Sequence, residues 1–230
     1  MKLTYKKGLY DGIPIALGYL SVSFTFGMMC IKGELPLWLT QLISMTNLTS
    51  AGQFAVAELM LSGGLLIEVF VTTLIINLRY MLMSFSLSQK LDPHMPRWKR
   101  ACLAFFNTDE IYAVAMHQQG HVSARYLLGL ATLPYFGWST GTLLGAIATD
   151  LLPARLNSAL GIAIYGMFIA IILPPAKKEL SVLFTVLLSV LLSCALRGFT
   201  PLSSGWTIIV CALVSASVAA LLFPVKEEAK

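Results

Sequence analysis

Eight apolar segments follow one another along this chain, at about residues 12–31, 37–63, 65–88, 101–118, 126–149, 156–175, 179–196 and 205–224. Crossing a bilayer core takes about 20 apolar residues in a helix, and several of these segments reach that length. Lipid offers no hydrogen-bond partner, so such segments must satisfy their own backbones. Charge is correspondingly scarce: 57% of the residues are hydrophobic and only 12% are charged. A soluble domain with so few charges could not cover its surface. The reading is an all-α integral membrane protein, a single polytopic bundle over residues 1–230 with no long linker. The net charge of +5 does not point to nucleic acid, because Lys and Arg cluster in short loops between apolar runs. Residues 12–31 are too long for a secretory signal and lack its cleavage site, so they read as a retained first span.

Those loop charges also bear on topology. If all eight segments cross from a cytoplasmic N-terminus, Lys and Arg divide eight inside against seven outside, with Arg79 inside a span. If 37–63 and 101–118 instead return to the side they entered, the 89–100 loop moves inside and the division becomes twelve against three. The positive-inside rule prefers the second arrangement. The same two segments are the ones interrupted by polar residues: Thr46 to Gln53 in one, Asn107-Thr108-Asp109-Glu110 in the other. The expectation is six full spans plus two re-entrant or broken-helix segments, 37–63 and 101–118, with both termini cytoplasmic. A variant lays 101–118 on the membrane surface.

Polar side chains at membrane depth must face protein or a water-filled cavity, and broken helices are where transporters build their sites. Asn47, Thr49, Ser50 and Gln53 lie in the first interruption. Arg79 sits within Ile76-Asn77-Leu78-Arg79-Tyr80-Met81, and a central Arg costs roughly 2.5–3.5 kcal/mol to insert. It needs a carboxylate partner, a substrate carboxylate or water; otherwise it reaches for the headgroups. Asp109 and Glu110 are the candidate partners or proton carriers. Adjacent helical positions diverge by about 100°, so at most one of them faces Arg79. Asn77 joins Arg79 in one cavity only if the helix unwinds there. Glu68 is expected near an outer end, reaching water, and Glu58 is a weaker candidate. Gly137, Gly141 and Gly145 repeat at four-residue spacing, a face for close helix packing, and Ala212, Ala216 and Ala220 form a weaker copy. The four cysteines, at 30, 102, 194 and 211, read as packing residues, and three scattered histidines give no metal site. No phosphate-binding loop or hydrolase motif occurs, so neither a cofactor nor an enzymatic reaction is expected.

Several motifs occur together and in order: Gly12-Ile13-Pro14 with Gly18 and Phe26-Gly27, Ala51-Gly52-Gln53-Phe54, Asn77-Leu78-Arg79-Tyr80 with Ser86-Leu87, Thr108-Asp109-Glu110, and Trp138 through Gly145. Over most of its length the chain resembles the AzlC (YgaZ) family, the large subunits of a bacterial branched-chain amino acid permease. It departs from many members in carrying hydroxyls at Thr49 and Ser50, which bears on substrate. The resemblance implies export of branched-chain amino acids across the bacterial cytoplasmic membrane, with a small AzlD-type membrane subunit as partner. Substrate binding would then fall to Asn47, Thr49, Ser50, Gln53, Asn77 and Arg79, coupling or ion pairing to Asp109 and Glu110. Two alternatives are a channel-like facilitator for a small neutral solute and a non-transporting assembly subunit.

Overall fold

The computed structural model describes residues 3–151, 169 and 172–224. Most of the expected span 156–175 and the charges Lys2, Arg155, Lys226 and Lys230 lie outside the described residues. Among the described residues there are helices and no strands: α1 (Tyr5–Lys32), α2 (Leu37–Thr46), α3 (Ala51–Leu61), α4 (Leu66–Lys90), α5 (Arg97–Ala104), α6 (Asp109–His117), α7 (Ala124–Leu151), α8 (Leu180–Phe199) and α9 (Ser204–Leu222). The protein is an all-α membrane protein. By length and composition, four of the described helices can cross a bilayer: Tyr5–Lys32, Leu66–Lys90, Leu180–Phe199 and Gly205–Leu222. At 28 residues α7 is as long as α1 but carries a Gly-, Ser- and Thr-rich middle.

Both interrupted segments are broken helices. The first splits into α2, of 10 residues, and α3, of 11. At about 1.5 Å per residue each half is only ~15 Å long, about half a hydrocarbon core. The second splits into α5, of 8 residues, and α6, of 9, so it starts earlier than the expected 101.

The chain forms two compact units, Met1–Phe54 with Ile76–Gly161, and Ala55–Ile75 with Ile162–Lys230. The first is organised by α1 against α7. A Cβ built on Gly129 would strike Tyr5, one on Gly137 Ala16, one on Gly141 Leu20 and one on Gly145 Phe24. Both series of numbers rise together, so the two helices run parallel and nearly in register. The contact is reciprocal, since Gly8, Gly12 and Gly27 of α1 lie against the α7 backbone. Small residues permit this approach, and close packing is what drives helix association in lipid. The glycine face is therefore used within the chain.

The start of α7 also fixes one end of the unit. Ser123 Oγ donates to Leu3 O at 2.9 Å, while Val122 N–H donates to Lys90 O at 2.9 Å and Asp92 N–H returns to Val122 O at 3.0 Å. Helix α4 therefore finishes where α1 and α7 begin, and the 89–100 loop lies at the end that carries the N-terminus. This is the juxtaposition that the twelve-to-three charge division requires. Within the loop the His94 backbone N–H donates to Asp92, holding that carboxyl below its usual range. A test follows with cysteines at Pro93 and Lys6 in a background lacking the native four. Both are expected to resist an impermeant maleimide in intact cells and to react after permeabilisation. Labelling of the two from opposite sides would contradict the shared end.

In the second unit, Ala57, Leu59, Thr207, Ile209 and Ser215 are buried. The expectation for Glu68 is corrected here. Glu68 does not reach water: it is 2% exposed, enclosed by Ser203 and Gly205 at the start of α9. The alanine stripe of α9 is not packed within the chain among the described residues: Ala216 and Ala220 are exposed, and the buried positions include Thr207, Ile209, Cys211 and Ser215. Cys30 and Cys211 are buried, whereas Cys102 and Cys194 are exposed.

Candidate functional site

The break between α2 and α3 is built by residues 47–50. Asn47 leaves the helix in an extended conformation (φ −134°, ψ 97°), and Ser50 turns through the left-handed region at φ +48°. Thr49 Oγ1 donates to Asn47 Oδ1 at 2.7 Å, a local bond that competes with helix continuation. Gly52 and Gln53, expected within the polar run, already belong to α3. A Cβ at Gly52 would lie 2.7 Å from Thr49 Oγ1 and 3.0 Å from Asn77 Oδ1, so the backbone of α3 and the side chain of Asn77 meet only because that position is glycine. Upstream, α2 is held to α7 by Gln41 Nε2 donating to Ser139 Oγ at 2.6 Å and by the Ser44 and Thr142 hydroxyls 2.7 Å apart.

Gln53 is fully buried. Its Oε1 accepts from Trp138 Nε1–H at 3.0 Å, and its Nε2 has no partner. Asn77 Oδ1 is likewise unpartnered. Buried polar groups are nearly always satisfied, so one free donor and one free acceptor beside a helix break mark a place for a polar ligand or water.

Helix α4 does not unwind near Asn77. Asn77 faces Gly52 while Arg79 turns to Asp109, as two positions on an intact helix must. Arg79 Nη2 is 2.8 Å from Asp109 Oδ2, with the two side chains 47% and 42% exposed. Arg79 Nη2 also donates to Tyr80 Oη at 3.1 Å, and Tyr80 O–H donates to Thr49 O at 3.4 Å. The cation is thereby tied to the backbone of the break.

Asp109 and Glu110 occupy the first turn of α6, where an acid suits the positive end of the helix dipole. Thr108 caps that turn by accepting from Ile111 N–H. Glu110 points away from Arg79: its Oε2 accepts from Tyr19 O–H at 2.5 Å, and the Tyr19 oxygen lies 2.6 Å from the Thr108 hydroxyl. Tyr19 in turn packs edge-on against Trp138, ring centroids 5.1 Å apart. Two chains of contacts therefore join the α2–α3 break to the start of α6. One runs Gln53–Trp138–Tyr19–Glu110, the other Thr49–Tyr80–Arg79–Asp109.

Of the expected binding residues, Thr49, Gln53, Asn77 and Arg79 are brought together with both acids. Asn47 contributes by accepting from Thr49, and Ser50 by its backbone turn. Gly137, Gly141 and Gly145 stand behind the site, setting the α1–α7 gap that lets Tyr19 reach Trp138. Tyr19 and Tyr80 join these contacts although composition does not single them out. The available signal was chemical: a tyrosine hydroxyl inside an apolar span must find a partner. Beside the site, Ser84, Ser88, Arg100 and Asn107 line a cavity of about 190 Å³ with apolar walls from Leu87 and Leu127. Asn107 Nδ2 donates to Ser84 Oγ at 2.8 Å and its Oδ1 is unpartnered.

Compared with known proteins, residues 14–152 match the AzlC protein family. The chain belongs to the AzlC family. The matched residues contain the helix break, Arg79, the acidic turn of α6 and the glycine face of α7. A membrane protein of Archaeoglobus fulgidus is 33% identical, covering 88% of this chain and 94% of its own. The Inner membrane protein YgaZ of Escherichia coli is 28% identical over 94% of this chain and 91% of its own. A Helicobacter pylori membrane protein is 24% identical over 62% and 63%. No solved structure matches the chain. This AzlC-family protein is a multi-pass membrane protein.

Proposed function

We propose that the protein is a transporter, not an enzyme, and that it exports branched-chain amino acids across the bacterial cytoplasmic membrane with a small AzlD-type subunit. The observation that carries the reading is the Arg79–Asp109 pair, 2.8 Å apart and tied through Tyr80 to the broken helix. A zwitterionic amino acid needs a cation for its carboxylate and acceptors for its ammonium. Arg79 is the cation, Asp109 and the free Asn77 Oδ1 are acceptors, and the apolar walls nearby suit a branched side chain. Substrate binding then exchanges an internal ion pair for two external ones, which is how a charged site is gated without exposing a bare charge to lipid. Coupling to protons needs a carboxylate that can lose its charge.

The test is efflux of labelled valine, leucine and isoleucine from preloaded cells expressing the chain with its small partner. Efflux above vector cells for at least one of them is expected, falling when an uncoupler collapses the proton gradient. No difference from vector cells for all three and for methionine would reject the assignment. Efflux indifferent to the uncoupler would favour a channel-like facilitator for the same substrates.

A further inference from the structure

The second unit contains a carboxylate that the site above does not use. Glu68 lies in the first turn of α4 and is 2% exposed, although its neighbours Leu65, Leu66, Ile67 and Phe70 are exposed and apolar. Its Oε1 accepts from the Ser203 hydroxyl at 2.5 Å. Ser203 is the N-cap of α9 and also accepts from Trp206 N–H. Glu68 Oε2 has no hydrogen-bond partner. It is walled in by two glycines: a Cβ on Gly205 would lie 2.9 Å from it and one on Gly64 3.2 Å. One helical turn along α4, Thr72 is fully buried with an unpartnered hydroxyl.

No cation compensates this carboxylate among the described residues. Among the described residues of the unit, the other charged side chains, Glu58 on α3, Lys177, Lys178 and Glu179 ahead of α8, and Arg197 on α8, are all exposed and make no ion pair with it. An ionised carboxylate sealed from water without a counter-charge is costly, whereas the neutral acid is not. A purely structural role would be filled as well by glutamine, which brings its own donor for the empty side. A route for the proton exists, because Ser203 is exposed while Glu68 is not. Its hydroxyl can pass a proton to Oε1 while taking one from water, and the reverse sequence releases it.

We propose that Glu68 is a proton-binding site, loaded and unloaded through Ser203, and that it carries the proton coupled to transport. The coupling half of this rests on the transport reading; the proton site does not. Two measurements keep them apart. Dicyclohexylcarbodiimide adds a protonated carboxyl across its N=C bond and spares the carboxylate. On the full-length wild-type protein in native membranes, a mass-identified adduct on Glu68 is expected. A folded protein that never labels at Glu68 overturns the proton site. In proteoliposomes, Glu68→Gln is expected to retain labelled-leucine counterflow and to lose accumulation driven by a pH gradient. Gradient-driven accumulation equal to wild type overturns the coupling role. If Glu68→Gln does not assemble, Glu68→Asp takes its place, expected to label and to keep part of the gradient-driven accumulation; an assembled Glu68→Asp that does neither overturns the proposal. Wild-type protein without counterflow defeats the transport reading, and the labelling result then stands on its own.

Discussion

Arg79→Ala abolishes efflux while leaving most of the protein folded in the membrane. The two halves of this expected result have separate causes. Stability depends little on the pair, because Arg79 and Asp109 are 47% and 42% exposed and an ion pair that accessible contributes at most about 1 kcal/mol. Efflux is expected to depend on it fully, because Arg79 is the only cation placed at the helix break among the described residues. Truncation also frees Tyr80 Oη, loosening its bond to Thr49 O. Asp109 is left without its counter-charge, which costs little at 42% exposure, so Arg79→Gln combined with Asp109→Asn is expected to assemble as well as Arg79→Ala alone and to be equally inactive. Efflux assays read the first half; the amount of monodisperse protein recovered in mild detergent reads the second. An Arg79→Leu variant as active as wild type would remove Arg79 from both binding and coupling.

How much of this was legible in the chain depends on the kind of interaction. Fold class followed from apolar length, and the two broken segments followed from polar residues where lipid tolerates none. The division of Asp109 from Glu110 followed from helical geometry, but which acid faces Arg79 did not, since both registers fit a nine-residue helix. The aromatic relays through Tyr19, Tyr80 and Trp138 were not legible, because a hydroxyl on an apolar span announces that a partner exists without naming it. Glu68 shows the opposite failure. Its place at the start of a span suggested water, and only the packing of Ser203 and Gly205, more than a hundred residues away, closes it off. Such closures are tertiary facts with no local trace. The glycines of α7 were legible as a packing face, yet their partner became identifiable only from the rising register of Tyr5, Ala16, Leu20 and Phe24.

That register makes Gly141→Leu a strongly damaging substitution. A Cβ at Gly141 would fall on the Ser23 hydroxyl and the Leu20 carbonyl, and the leucine branches beyond it have nowhere to go. The Ser23 hydroxyl can turn aside, but the Leu20 carbonyl and Cα are backbone on a parallel helix, so relief requires α1 and α7 to separate. Overpacking of a close interface costs about 1–3 kcal/mol and more where backbone must move. Separation removes the close approach on which association in lipid depends. It also parts Tyr19 from Trp138, and through them the link from Gln53 to Glu110. Loss of both thermal stability and efflux is therefore expected. Gly18, on the same helix as Leu20 and Ser23, provides the internal comparison, because a Cβ there meets nothing within 4 Å. Gly18→Ala should leave expression and melting unchanged, and Leu143→Gly should cost less than Gly141→Leu. Fluorescence-detected thermal melting in detergent, with co-purification of the small partner, measures all three. A Gly141→Leu protein that melts with wild type would mean that the α1–α7 contact does not hold the bundle together.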